Sequence, residues 1–162
     1  MPSTDPAISQ VDVRGPRFSA WLTTAVLVAV LLLFESSPAV ATVVLAGQAV
    51  VFAAGAVWGP RRHPYGVLYR RVVAPRLGPV TAREPVAPLR FAQLVGLMFA
   101  VIGIAGFIFA PAVGLTATAF ALAAAFLNAA FDICLGCHLY PLVVRLRRAP
   151  AAGLPTTSFA SK

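Results

Sequence analysis

Long apolar runs alternate with short polar or proline-containing segments along the chain. A helix needs about 20 apolar residues to cross a hydrocarbon core of about 30 Å. Four stretches are long enough, at residues 18–34, 39–58, 91–110 and 115–136. The pattern therefore predicts an all-α membrane protein with four transmembrane helices.

Two short turns arrange these spans as two hairpins. Residues 35–38 separate the first pair and residues 110–114 the second, and each turn contains a proline that interrupts a helix. A long loop rich in proline and arginine, Gly59 to Arg90, joins the hairpins. We expect one short helix in it, at about Tyr65 to Val73.

The composition supports a membrane protein, because 59% of the residues are hydrophobic and only 11% are charged. The 13 Lys and Arg residues lie before the first span, in the central loop and after the fourth span. The positive-inside rule therefore predicts that both termini and the loop are cytoplasmic. Trp21 and Trp58 lie at the predicted cytoplasmic ends of their spans, where indole rings prefer the lipid headgroups.

The chain divides into a cytoplasmic tail at residues 1–17, a membrane domain at 18–148 and a tail at 149–162 that we expect to be disordered. Arg14 and Arg17, the following apolar run and Ala39-Val40-Ala41 also resemble a cleavable signal peptide. Because the apolar run resumes at once and fills a second span, we expect a retained first helix.

The net charge of +8 is explained by orientation and by anionic lipid, so no nucleic-acid partner is predicted. Arg61, Arg62, Arg70 and Arg71 are candidates for contact with lipid headgroups or a partner protein. A sharper hypothesis is that Arg61-Arg62-His63 and Arg70-Arg71 bind an anionic substrate. The spacing does not favour it over lipid.

Three polar residues fall inside predicted spans: Gln48 in the second, and Asn128 and Asp132 one helical turn apart in the fourth. Polar groups in lipid need partners, so we expect hydrogen bonds across the bundle. A proton-relay role for Asp132 is the alternative.

The two cysteines are Cys134 and Cys137, and His138 follows them. This spacing is typical of a dithiol switch, of half a metal site or of c-type haem attachment. Haem would need the exported side, and a closed metal site wants four ligands, so no cofactor and no metal are predicted. The cysteines are redox or sulfur candidates with His138 as a modulator, and the alternative is two thiols packed as small apolar residues.

Two opposing effects act on the pKa of the thiols, and the sequence does not decide which is larger. If the fourth span remains helical to 136, the cysteines lie at a helix C-terminus, whose negative partial charge raises a thiol pKa. Nearby arginines, or a helix break at Gly136 and Pro141, would act in the opposite direction.

Four segments carry a family resemblance, namely Val11–Phe18, Gly59–Tyr65, Arg90–Gln93 and Leu127–Tyr140. Together they resemble the bacterial membrane family called domain of unknown function 4395. The resemblance implies an inner-membrane location and an association with thioredoxin-like or rhodanese-like proteins, and hence traffic in thiols or sulfane sulfur. The chain departs from the expected glycine at Asp132 and the expected acidic residue at His138, which puts haem attachment across the family in doubt.

The leading hypothesis is a thiol-redox or sulfur-relay protein that serves a soluble partner. One alternative is a non-enzymatic anchor or scaffold whose cysteines are merely packed. Another is a small transporter of a sulfur compound, which would need a homo-oligomer because a single chain has few polar residues for a path. These hypotheses include both enzymatic and non-enzymatic proteins, and the sequence does not distinguish between them.

Overall fold

The structure is a computed structural model that describes residues 10–80 and 82–148. The tail predicted at 149–162 and residues 1–9 lie outside the described residues. The rest of the predicted N-terminal tail is not a tail, because it forms a strand and the start of the first helix.

Six α-helices and two short strands make up the described chain. They are β1 (Gln10–Asp12), α1 (Arg14–Ser36), α2 (Pro38–Trp58), α3 (Pro64–Leu68), β2 (Arg83–Pro85), α4 (Val86–Phe109), α5 (Pro111–Phe131) and α6 (Leu135–Arg148). Helix α3 continues into a π-helical turn, Tyr69–Val73, and a 3-10 turn, Ala74–Arg76. The short helix expected in the central loop lies here.

Helices α1, α2, α4 and α5 are long and apolar enough to cross a membrane, which confirms the predicted fold class. Large apolar side chains cover their outer surface, where water would be an unfavourable neighbour and lipid a favourable one. The most exposed of them are Leu32, Val43, Val50, Trp58, Ile108, Phe109, Phe120 and Phe131.

The four long helices form a ring in which α1 and α4 each contact both α2 and α5. Within each hairpin a single extended residue joins the helices, Ser37 in the first and Ala110 in the second. Proline follows at the first helical position, where its fixed φ suits the helix and its missing N–H costs nothing. The core between the helices comprises Leu27, Val30, Ala41, Leu45, Phe52, Ala100, Phe107 and Ala121.

The two hairpins are an internal repeat. Arg17-Phe18 recurs as Arg90-Phe91 and Pro38-Ala39-Val40 as Pro111-Ala112-Val113, both 73 positions later. The same offset relates β1 to β2, α2 to α5, and the residues with positive φ that follow these two helices. The antiparallel strand pair is centred on Val11 and Glu84, which are equivalent residues. The fold therefore has a pseudo-twofold axis between its halves.

Arg17 and Arg90, which occupy equivalent positions in the repeat, form hydrogen bonds between the two halves. Arg17 donates from Nε to the Ala129 carbonyl at 3.0 Å and from Nη2 to the Ala130 carbonyl at 3.4 Å. Arg90 donates in the same way to the carbonyls of Ala56 and Val57, at 2.8 and 2.9 Å. The last carbonyls of a helix have no partner within it, so each arginine caps the second helix of the other hairpin.

The sixth helix was not predicted from the apolar pattern. The helix that contains the predicted span 115–136 ends at Phe131, and α6 starts at Leu135 and packs on α4. It occupies the place in the second hairpin that α3, packed on α1, occupies in the first. Each half therefore consists of two long helices and one shorter helix, α3 or α6, which we call its cover.

Replacing either capping arginine with methionine should destabilise the bundle to a similar degree. Each change removes two charge-assisted hydrogen bonds, so we expect a loss of about 1.5 kcal/mol or more in the free energy of unfolding. Denaturation in detergent micelles measures it. Arg71→Met is the control, because Arg71 is exposed. An effect of Arg71→Met equal to that of Arg17→Met and Arg90→Met would contradict the capping role.

Candidate functional site

The chain reverses sharply between α5 and α6. Asp132 adopts φ 60° and ψ 23°, and the backbone N–H groups of Asp132 and Ile133 both donate to the Leu127 carbonyl. Aspartate is one of the few residues other than glycine that enter this left-handed conformation at small cost. Gly59, with φ 76°, ends α2 at the equivalent place. A left-handed residue therefore ends the second helix of each half.

This turn places the cysteines at the start of a helix rather than at the end of one. Cys134 precedes the first residue of α6, and its carbonyl accepts the His138 N–H at 3.1 Å, as the N-cap residue of a helix does. The interpretation that the fourth span continues through the cysteines is wrong, because Asp132 has already ended it. The thiols therefore experience the positive partial charge of a helix N-terminus.

The two sulfurs are in direct contact, and the Cys137 thiol donates to the Cys134 sulfur. This hydrogen bond is the main reason why the pKa of Cys134 falls to about 7. The backbone N–H groups of Cys137 and Gly136 also lower it, while burial and the charge of Glu84 act in the opposite direction. The pKa of Cys137 is raised, because its proton is held by Cys134 and because it is buried. Of the two thiols, Cys134 therefore has the lower pKa.

Gly136 fixes how closely α6 approaches α4. A Cβ atom at this position would lie 2.5 Å from the Ala92 Cβ and 2.6 Å from the Ala92 Cα, so no side chain fits without moving a helix. The glycine between the cysteines therefore keeps the first turn of α6, and with it both thiols, against the bundle.

His138 is exposed, and its Nδ1 lies 3.0 Å from the Cys134 carbonyl. A carbonyl oxygen only accepts, so Nδ1 carries the proton in this contact. The ring therefore bonds to the backbone of the motif and not to a thiol. Within the described residues, no group of three or more His, Cys, Asp or Glu side chains is placed to hold a metal ion.

Glu84 is a site residue that sequence reasoning missed. It is half-buried in β2, and its charge raises the pKa of both thiols. Burial and the nearby Asp132 raise the pKa of Glu84 itself. No pattern in the sequence marks it, because its position depends on the pairing of β1 with β2.

The predicted polar residues occupy three different environments. Gln48 is buried, accepts the Tyr65 hydroxyl at 2.8 Å and donates to Thr23 at 3.5 Å. Asn128 is partly buried near the end of α5. Asp132 is exposed beyond that helix, so the expectation that it lies within a span is corrected by the early end of α5.

The four candidate arginines of the basic loop are all exposed. Arg61 donates to the Gln10 carbonyl at 3.1 Å, whereas Arg62, Arg70 and Arg71 make no side-chain hydrogen bond within the described chain. His63 is only 2% exposed, and burial lowers its pKa to about 4, so it is neutral at physiological pH. It cannot supply charge to the anion site that was hypothesised with its neighbouring arginines.

A family model described as "Domain of unknown function (DUF4395)" matches residues 11–145. No curated protein and no solved structure matches the chain.

The donor role of Cys137 predicts how Cys134 titrates. In Cys137→Ser the hydroxyl can still donate, so the alkylation rate of Cys134 should reach half its maximum at a pH below the ordinary pKa of a cysteine thiol. In Cys137→Ala the donor is absent, the pKa of Cys134 rises, and the midpoint should move to higher pH. Iodoacetamide alkylation followed across pH measures both, since only the thiolate reacts. Equal midpoints in the two variants would show that the S–H donor does not matter.

Proposed function

The chain belongs to the DUF4395 family, and we propose that it is a membrane protein that passes electrons or sulfane sulfur through the Cys134/Cys137 pair to or from a soluble partner. The observation that carries this proposal is the position of Cys134 at the N-terminus of α6 beside a proton-bearing Cys137. A thiolate at neutral pH with a neighbouring thiol is the arrangement that thiol–disulfide exchange requires.

In the redox reaction, the reduced pair acts on a disulfide of the partner. The Cys134 thiolate attacks one sulfur, and the other sulfur leaves as a thiolate. The Cys137 thiol then loses its proton and attacks Cys134, which forms the internal disulfide and releases the partner as a dithiol. The same exchange steps in the reverse direction reduce the Cys134–Cys137 disulfide again. Glu84, half-buried with a raised pKa, is a suitable acceptor for the Cys137 proton.

In the sulfur reaction, the same thiolate attacks the outer sulfur of a partner persulfide. The partner leaves as a thiolate, and Cys134 carries the sulfur as a persulfide. Attack by Cys137 on the inner sulfur would then release hydrosulfide and leave the disulfide. Both reactions use Cys134 as the nucleophile and Cys137 as the resolving thiol.

We place the thiols on the cytoplasmic side of the bacterial inner membrane. The start of α1, the central loop and α6 lie at the same end of the bundle, and this end holds the cationic residues of the described chain. The exposed Arg62, Arg70 and Arg71 are available there for an anionic headgroup or for an acidic surface of the partner. A thioredoxin-like or rhodanese-like protein is the partner class that suits the thiol chemistry.

Substituting the resolving cysteine should trap the partner. In Cys137→Ser cells, Cys134 still attacks but the mixed disulfide cannot be resolved, so a covalent adduct sensitive to reductant should accumulate. Cys134→Ser is the matched control and should give none. Non-reducing electrophoresis and mass spectrometry of the adduct identify the partner. Two thiols that never form a disulfide in oxidant-treated wild-type cells would favour the packed-cysteine alternative.

The orientation can be read with reporter fusions. Fusions after Pro38 and Gly114 should report the exported side, and fusions at Gly78 and Lys162 the cytoplasmic side, because no Lys or Arg lies in the two short turns. An exported Gly78 would overturn the proposed location of the thiols.

A further inference from the structure

A cavity of about 310 Å³ lies inside the bundle directly beneath the cysteine motif. Its walls come from α1, α2, α4, α5 and α6, and Cys134 and Gly136 form part of them. Protein interiors rarely leave spaces much larger than a water molecule, and this volume lies at the lower end of the roughly 300–1,000 Å³ of ligand sites. The nucleophilic thiol therefore borders a space large enough for a small ring.

The internal repeat shows how small residues of the second half leave space for the cavity. In the first hairpin Gln48, Phe52 and His63 are buried, and Tyr65 bonds to Gln48. The equivalent positions in the second hairpin are Ala121, Ala125, Gly136 and His138. Three of these positions therefore hold large side chains in the first hairpin and small residues in the second. The fourth position, equivalent to Tyr65, holds His138, whose side chain is exposed. The half that carries the cysteines therefore has smaller side chains at these positions, and Ala121, Ala125 and Gly136 line the cavity.

The walls define the chemistry of an occupant. Among the described residues that line the cavity, none except the Cys134 thiolate carries a charge, so an anion such as a sulfur oxyanion would find no counter-charge there. Most of the walls are aliphatic or phenylalanine side chains. The few polar groups include the amides of Gln93 and Asn128, which both donate and accept hydrogen bonds. A neutral, apolar ring bearing a few oxygen atoms matches this surface.

We propose that the cavity binds the ring of a membrane quinone, which accepts the electrons of the Cys134/Cys137 dithiol. This step rests on the proposed redox function and names its membrane-side substrate. The two thiols lose two electrons and two protons and form one disulfide bond. The two quinone carbonyls gain those electrons and protons and become the hydroxyls of a hydroquinone. A soluble dithiol then reduces the disulfide by exchange, so electrons pass from the soluble partner to the lipid phase.

The test uses the full-length protein, reduced and purified in detergent, with a short-tailed benzoquinone whose ring positions are all substituted. Such a ring cannot be captured by direct addition of a thiol, so loss of free thiols reports oxidation. We expect one hydroquinone for each disulfide formed. Ala124→Leu fills the cavity and should slow this reaction about tenfold or more. Ala123→Leu, on an exposed neighbouring position outside the cavity, should leave the rate unchanged.

Two further measurements separate the outcomes. Oxidation by a small soluble disulfide should be unchanged in Ala124→Leu, which shows that the fold and thiols are intact. In wild type, a redox-inactive dimethoxybenzene with the same tail should compete with the quinone. Equal quinone rates in Ala124→Leu and wild type, or no competition, would overturn the inference. Reaction with the soluble disulfide alone would overturn the quinone step and leave the proposed function standing, and no reaction with either would overturn both.

Discussion

An arginine in the first turns of each hairpin caps the end of the second helix of the other hairpin, and the rest of the structure depends on this reciprocal capping. The last carbonyls of α2 and α5 have no partners within their helices, and an unsatisfied carbonyl at the edge of a bilayer is costly. Arg90 and Arg17 satisfy them with paired hydrogen bonds. The chain can then turn back at Gly59 and Asp132 and fold a short helix over the end of each half.

The two halves share the same arrangement of helices but differ in the side chains that pack between those helices. In the first half the cover is sealed by the buried His63 and by the hydrogen bonds among Tyr65, Gln48 and Thr23. In the second half the cover carries the cysteines, and Gly136 holds it against α4. The two halves therefore repeat the same backbone, but only the second carries the two cysteines.

The site balances opposing electrostatic effects. Glu84 and burial favour a neutral Cys134, whereas the Cys137 thiol and two backbone N–H groups favour the thiolate. The hydrogen bonds prevail because they act directly on the sulfur at the start of a helix. The left-handed Asp132 also gives a physical reason for the glycine expected at this position from the family resemblance, since glycine adopts positive φ without strain.

The sequence by itself determined the four helices, the two proline turns and the close spacing of the two cysteines, because span length and residue spacing are local properties. The repeat was also readable in Arg17-Phe18 and Arg90-Phe91, although the apolar runs alone do not reveal it. Only the tertiary structure decided that Cys134 begins a helix, that Glu84 lies near the thiols and that a cavity lies beneath them. These features depend on one backbone angle at Asp132, on a strand pair between distant segments and on which side chains meet inside the bundle. Hydrophobic periodicity reports none of these, because it records which face of a helix avoids water and not what that face meets.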